Sequence, residues 1–157
     1  MKKKLLNILK DLTEQTKNSQ DIPVAAIIID DDGNVLSQAC NTRVKNNSLI
    51  EHAEINALTS AVDKVKSFHL EKYKIVTTLE PCLMCLGAIE QAYISEVIYI
   101  VDNHKLGPLT CQMLDKSTSR LKITKWNDIE VEEYFISELK NFFKNLRDQG
   151  DDKYGRN

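Results

Sequence analysis

Residues 73–93 read YKIVTTLEPCLMCLGAIEQAY. The run from Tyr73 to Leu79 is rich in β-branched and apolar residues, which predicts a strand. Pro81 has no N–H to donate and suits a helix start, where no partner is expected, so Cys82 to Tyr93 is predicted as a helix. A strand that passes directly into a helix is the unit of a partly parallel sheet.

Working outward, Glu96 to Val101 reads as the next strand, Leu109 to Asp115 as a short helix and Leu121 to Trp126 as a fifth strand. Ile129 to Leu146 forms a closing helix with Phe135, Leu139, Phe142, Phe143 and Leu146 on its apolar side. Toward the N-terminus, His52 to Val65 has helical periodicity, and a polar loop over Thr42 to Glu51 precedes it. Ile22 to Ile29 and Val35 to Asn41 flank the turn Asp30-Asp31-Asp32-Gly33-Asn34 and make a hairpin. Leu5, Ile8, Leu9 and Leu12 place a first amphipathic helix from Lys4 to Lys17. The order α-β-β-α-β-α-β-(α)-β-α implies an α/β fold of three α/β/α layers around a mixed five-stranded sheet. One domain over residues 1–148 and a frayed tail over 149–157 are expected.

At 157 residues, one domain is the expectation, and a chain of this size buries enough surface to fold without a structural metal. Its 42% apolar and 28% charged residues are those of a globular domain rather than a disordered one. The longest apolar run, Val24 to Ile29, is far short of the roughly 20 residues that span a bilayer. The basic start Met1-Lys2-Lys3-Lys4 is interrupted by Asn7 and Lys10 before a signal-like apolar core accumulates, so no membrane association and a cytoplasmic address are expected. The net charge of −2 gives no bulk attraction to nucleic acid. Basic residues are nevertheless concentrated outside the final helix, leaving a local basic track as a candidate surface.

Two segments carry chemistry: His52-Ala53-Glu54 at one helix start and Pro81-Cys82-Leu83-Met84-Cys85 at another. A Cys-x-x-Cys alone fits a redox pair, half of a structural zinc site or an accident of composition. Combined with His52, it offers one imidazole and two thiolates. Those three ligands leave the fourth tetrahedral position of zinc for water. The other reading is a closed site with Cys40 or Cys111 as fourth ligand, which leaves Glu54 without a task. Glu54 next to an open site can take a proton from water and return it to a substrate. His69 is expected to be exposed, His104 to lie on a loop, Cys40 and Cys111 to be small buried residues, and Met84, Trp126 and Tyr134 to pack rather than ligate or stack on bases.

HAE at 52–54 with TLEPCLMC at 78–85 resembles the zinc-dependent cytidine/deoxycytidylate deaminase superfamily, and more closely the tRNA adenosine deaminases that make inosine at the anticodon wobble position. Ile22-Pro23-Val24-Ala25-Ala26, Asn41 before the zinc helix and the paired Phe142-Phe143 extend the similarity from about Leu5 to Arg147. The resemblance implies zinc, one ion per subunit, on His52, Cys82 and Cys85, with Glu54 as proton shuttle and Asn41 bonded to the purine. It implies a homodimer acting on a tRNA anticodon stem-loop. Deamination of free guanine or cytosine would use the same catalytic residues, and a non-catalytic RNA-binding subunit would be expected to lack Glu54.

Departures from the family pattern fall where RNA is handled. Ser48-Leu49-Ile50-Glu51 stands where Asp-Pro-Thr-Ala is usual, and Asn103-His104-Lys105-Leu106-Gly107-Pro108-Leu109 lacks the glycine-rich end and the leading Asp. Ser119-Arg120 replaces the family's Asn-His. Loss of the charge at position 103 suggests weaker discrimination between ribose and deoxyribose.

Overall fold

The structure, a computed structural model, describes residues 2–103 and 120–150. Its elements in chain order are α1 (Lys2–Gln15), β1 (Ala25–Ile29), β2 (Val35–Cys40), α2 (Ala53–Val65), β3 (Lys74–Leu79), α3 (Leu83–Gln91), β4 (Glu96–Val101), β5 (Lys122–Lys125) and α4 (Ile129–Asp148). A short 3-10 turn, Thr16–Asn18, follows α1. The expected helix at Leu109 to Asp115, His104, Cys111 and the tail beyond Gly150 lie outside the described residues.

The five strands form one sheet in the order β2-β1-β3-β4-β5. β1 is antiparallel to both β2 and β3, whereas β3, β4 and β5 run parallel. The sheet is therefore mixed, as the hairpin followed by strand–helix units requires. Strand alternation then divides the core. Ala25, Ile27 and Ile29 face a layer containing Leu5, Leu9 and Leu12 of α1 and Val131 and Phe135 of α4. Ala26 and Ile28 face the opposite layer, containing Ala53, Ala57, Leu58 and Ala61 of α2 and Leu86 and Ile89 of α3. Every residue of β1 is buried because helices cover both of its faces.

Several expected ends move by a few residues for local reasons. Pro23 cannot donate to a ladder, and the β1 strand starts only at Ala25; Val24 instead donates its N–H to the Ile22 carbonyl at 2.7 Å. α1 stops at Gln15, where the buried Thr16 hydroxyl donates to the Thr13 carbonyl at 2.7 Å. α3 stops at Gln91, and Tyr93 beyond it takes a left-handed backbone conformation at φ 58°. α4 starts where expected because the Asp128 side chain accepts the Val131 N–H at 3.3 Å. Trp126 is buried in the α1/α4 layer, while His69 is exposed and stacked on Tyr93.

Phe135 is among the largest fully buried side chains and joins α4 to the sheet. Phe135→Ala is expected to lower unfolding free energy by about 3–5 kcal/mol, measured by denaturant titration, since the side chain's removal leaves a cavity between α4 and the sheet. A loss below about 1 kcal/mol would contradict the packing described.

Candidate metal centre

The strand register fixes which loops meet. Ala25 pairs with Cys40, and Ala26 with Thr77, so the start of β1 lies beside the ends of β2 and β3. The Ala25 N–H also donates to Thr78 Oγ1 at 3.0 Å. β4 runs parallel to β3 and ends at the same side of the sheet. The β2–α2 loop, the β3–α3 turn and the chain leaving β4 consequently share one end of the sheet. Glu80, buried after β3, accepts the Asn103 N–H at 3.1 Å and ties the last two together.

His52 and Cys82 are the N-cap residues of α2 and α3 rather than members of their first turns. Both have extended backbone angles, and neither side chain bonds to a helix N–H. This corrects the expectation that the helix already includes Cys82 as its first residue: α3 starts at Leu83, and only Cys85 lies in its first turn. Their carbonyls begin the helices, with Asn56 donating to His52 at 3.0 Å and Leu86 to Cys82 at 2.8 Å. The side chains are thereby left to point elsewhere, and they converge.

His52 Nδ1 lies 3.6 Å from Cys82 Sγ and 3.4 Å from Cys85 Sγ, and the sulfurs are 3.6 Å apart. Tetrahedral zinc with ordinary bond lengths separates two thiolate sulfurs by about 3.8 Å, and a sulfur from an imidazole nitrogen by about 3.6 Å. The triangle matches one face of that tetrahedron within a few tenths of an ångström, and the donor types are those zinc prefers. The residues fit the ion. Among the described residues this is the one metal-capable group, and Cys40 is not in it. The closed reading with Cys40 is thus not supported by the structure.

The same contacts shift the proton affinities of the three side chains. The Cys82 thiol is brought down to about 4, first by its hydrogen bond with Cys85 and also by His52, against the opposing effect of burial. The Cys85 thiol is pushed up because it donates to Cys82 and is itself buried near Glu54. His52 is raised chiefly by its hydrogen bond with Cys82. A metal that takes both thiolates would displace the proton on Cys85.

Glu54, in the first turn of α2, is only 4% exposed. Burial pushes its carboxyl up to about 6, and the Cys85 thiol lies within hydrogen-bonding reach. It stands beside the triad without being one of its donors. Because His52 is an extended N-cap, the opposed directions that a regular helix would give positions 52 and 54 do not apply.

Asn41 lies at the opposite end of the loop that finishes at His52. It is buried, its amide nitrogen donates to the Ile22 carbonyl at 3.3 Å, and its oxygen accepts the Arg43 N–H at 3.3 Å. Sequence reasoning overlooked Asp21 and Asn56, which organise this loop. The buried Asp21 carboxylate accepts the N–H groups of Val44 at 2.6 Å and Lys45 at 3.1 Å. Asn56 sits inside a helix where asparagine is a poor former; that local mismatch was the available signal for a special role.

A mixed sheet sandwiched by helices thus carries a His-Cys-Cys triad at two helix starts with a buried carboxylate next to it, a donor set suited to zinc that leaves one tetrahedral position over. The family profile for the cytidine and deoxycytidylate deaminase zinc-binding region matches residues 1–101, and the chain belongs to that family. A tRNA-specific adenosine deaminase of Rickettsia felis is 31% identical over 134 residues, covering 83% of this chain and 92% of that one. A tRNA(Ile)-lysidine synthase of Deinococcus radiodurans is 36% identical over 98 residues, covering 62% of this chain. The chain spans only 17% of that synthase. A solved structure from work on A-to-I editing by tRNA:A34 deaminases at the wobble position of transfer RNA shares the fold. It has a TM-score of 0.72 at 21% identity, over 80% of this chain and 98% of that one.

Proposed function

We propose that this chain is a zinc-dependent hydrolytic deaminase that converts adenosine to inosine at the wobble position of a tRNA anticodon. The observation that carries the chemistry is the buried Glu54 beside a three-donor triad, where a structural zinc site needs no carboxylate. The substrate rests on the name of the Rickettsia felis relative, which this chain matches over most of both lengths.

His52, Cys82 and Cys85 would hold the ion. Zinc bound there supplies Lewis acidity that makes water a nucleophile near neutral pH. Glu54 accepts a proton from the attacking water and passes it to the ring nitrogen beside the carbon that bears the amine. It then carries the second proton to the departing amine, so that water and adenosine yield inosine and ammonia. A carboxyl whose burial lifts it toward neutrality is suited to both transfers. Asn41 bonds to the purine and sets which ring carbon faces the nucleophile.

The unit is one domain over residues 1–148, working in the cytoplasm, where thiol ligands stay reduced. Among the described residues, no helix is long and apolar enough to cross a membrane. A homodimer is part of the proposal. Leu49, Ile50, Leu83 and Met84, next to the ligands in sequence, are exposed apolar side chains that a second copy would cover.

The decisive experiment incubates the protein with an unmodified arginine tRNA transcript carrying adenosine at the wobble position and reads inosine by sequencing. Inosine at that position is the expected result. No inosine, with turnover of free guanine or cytosine instead, would overturn the substrate assignment. Asn103 lacks the negative charge the family places there, so matched RNA and DNA hairpins should be deaminated at rates within about tenfold of each other, a difference of roughly 1.4 kcal/mol in barrier. Strict dependence on RNA would refute that part.

A further inference from the structure

We propose that Asn56 is a positioning residue which, with Thr42 and Glu51, fastens the two ends of the loop that begins at Asn41 and finishes at His52. This rests on the metal-centre reading above and assigns residues outside it.

No proline lies between Pro23 and Pro81, so nothing in the covalent chain stiffens this loop. Its order comes from polar closure. Asn56 Nδ2 donates its two protons to the Cys40 carbonyl at 3.0 Å and to Thr42 Oγ1 at 2.9 Å, and shares one of them with the Glu51 carbonyl at 3.4 Å in a longer, bifurcated contact. One amide group thus reaches residues on both sides of the loop. The ends also bond to each other directly. The Thr42 N–H donates to the Glu51 carbonyl at 3.1 Å, and the Thr42 hydroxyl donates to Glu51 Oε2 at 2.7 Å. Asn46 Nδ2 joins the same carboxylate oxygen at 2.5 Å.

The two functional residues flank this closure, Asn41 just before Thr42 and His52 just after Glu51. Asn56 is also bonded through its backbone N–H to the His52 carbonyl at 3.0 Å. It therefore holds the peptide on each side of His52, one through its backbone and one through its side chain. An imidazole that must meet two thiols within a few tenths of an ångström depends on a peptide held in this way. If the clamp is cut, the imidazole samples positions away from the thiols, and the metal escapes faster.

The test uses the full chain loaded with zinc and follows transfer of the ion to a competing chelator, without nucleic acid. Asn56→Ala and Glu51→Ala are expected to release zinc about tenfold faster than the native chain, in the range seen when groups supporting metal ligands are removed. Glu51→Gln, whose amide oxygen still accepts from Thr42 and Asn46, should restore release to within about twofold of native, a difference of roughly 0.4 kcal/mol. The Asn56→Ala/Glu51→Ala double variant should be little faster than either single one, because both cut a single network. Thr59→Ala serves as a control on the same helix, since its exposed hydroxyl donates to the Ile55 carbonyl at 2.8 Å within α2 itself; it should leave release unchanged.

Native release rates in Asn56→Ala, or equal losses in Glu51→Gln and Glu51→Ala, would overturn the clamp. Should Asn56→Ala fail to fold, Glu51→Ala and Thr42→Val decide the matter by the same measurement, fast release supporting the clamp and native release ending it. A native chain that holds zinc yet does not edit tRNA would sink the substrate reading alone.

Discussion

Glu54→Gln is expected to bind zinc at native stoichiometry and to lose about two to four orders of magnitude in turnover, the usual contribution of a positioned acid–base group. The substitution keeps the volume and shape of the side chain and one acceptor oxygen, so the first turn of α2 should be undisturbed. It removes the charge and the ability to take up and return a proton. Stability should hold or rise, because burial already disfavours the ionised carboxylate at this position. Metal content by elemental analysis, thermal melting and inosine formation from the same preparation separate these effects. Full activity in this variant would remove the carboxylate from the mechanism, and loss of zinc would turn it into a ligand or a ligand's support.

Cys85→Ala should have the opposite signature. Cys85 is fully buried and its sulfur is close to both other donors. Its removal leaves two protein ligands where zinc needs three, so zinc content should fall from one per chain to near zero after dialysis, and editing should fall below detection. The far-ultraviolet circular dichroism should remain native. Two apolar layers, one on each face of the sheet, hold α1, α2, α3 and α4 without help from the metal. Treating the native chain with a chelator should reproduce the variant's inactivity, and added zinc should restore the native chain only. Stoichiometric zinc in Cys85→Ala would show that the triad is not the binding site.

Much of the fold was legible because it is written in local periodicity. The unbroken apolar run through Ala25 to Ile29 and the helical spacing of Leu5, Leu9 and Leu12 each show within a few residues, so a window of sequence suffices. Helix and strand ends were less legible. Cys82 was assigned to α3 because the Pro81 signal marks a helix start without distinguishing its N-cap from its first turn. The start of β1 depended on whether Pro23 could join a ladder, and that depends on the partner strand as well as on its neighbours.

The candidate site was legible in its residue types and illegible in its supports. His52, Cys82, Cys85 and Glu54 announce themselves because few other uses explain an imidazole, two thiols and a carboxylate at those spacings. Asn56, Thr42, Glu51 and Asp21 are ordinary polar residues, and what they bond to is decided by chain that folds back upon them.

The sequence by itself determined the order of the described elements, the apolar sides of α1, α2 and α4, and a candidate donor set for zinc. Only the tertiary structure decided that segments 30 residues apart converge, that both His52 and Cys82 occupy helix N-caps, and that Asn56 bridges the loop between β2 and α2. The reason is range. Apolar periodicity encodes burial within a few residues, whereas the meeting of the triad requires the pairing of β1 with both β2 and β3, a relation between distant strands that no short stretch of sequence contains.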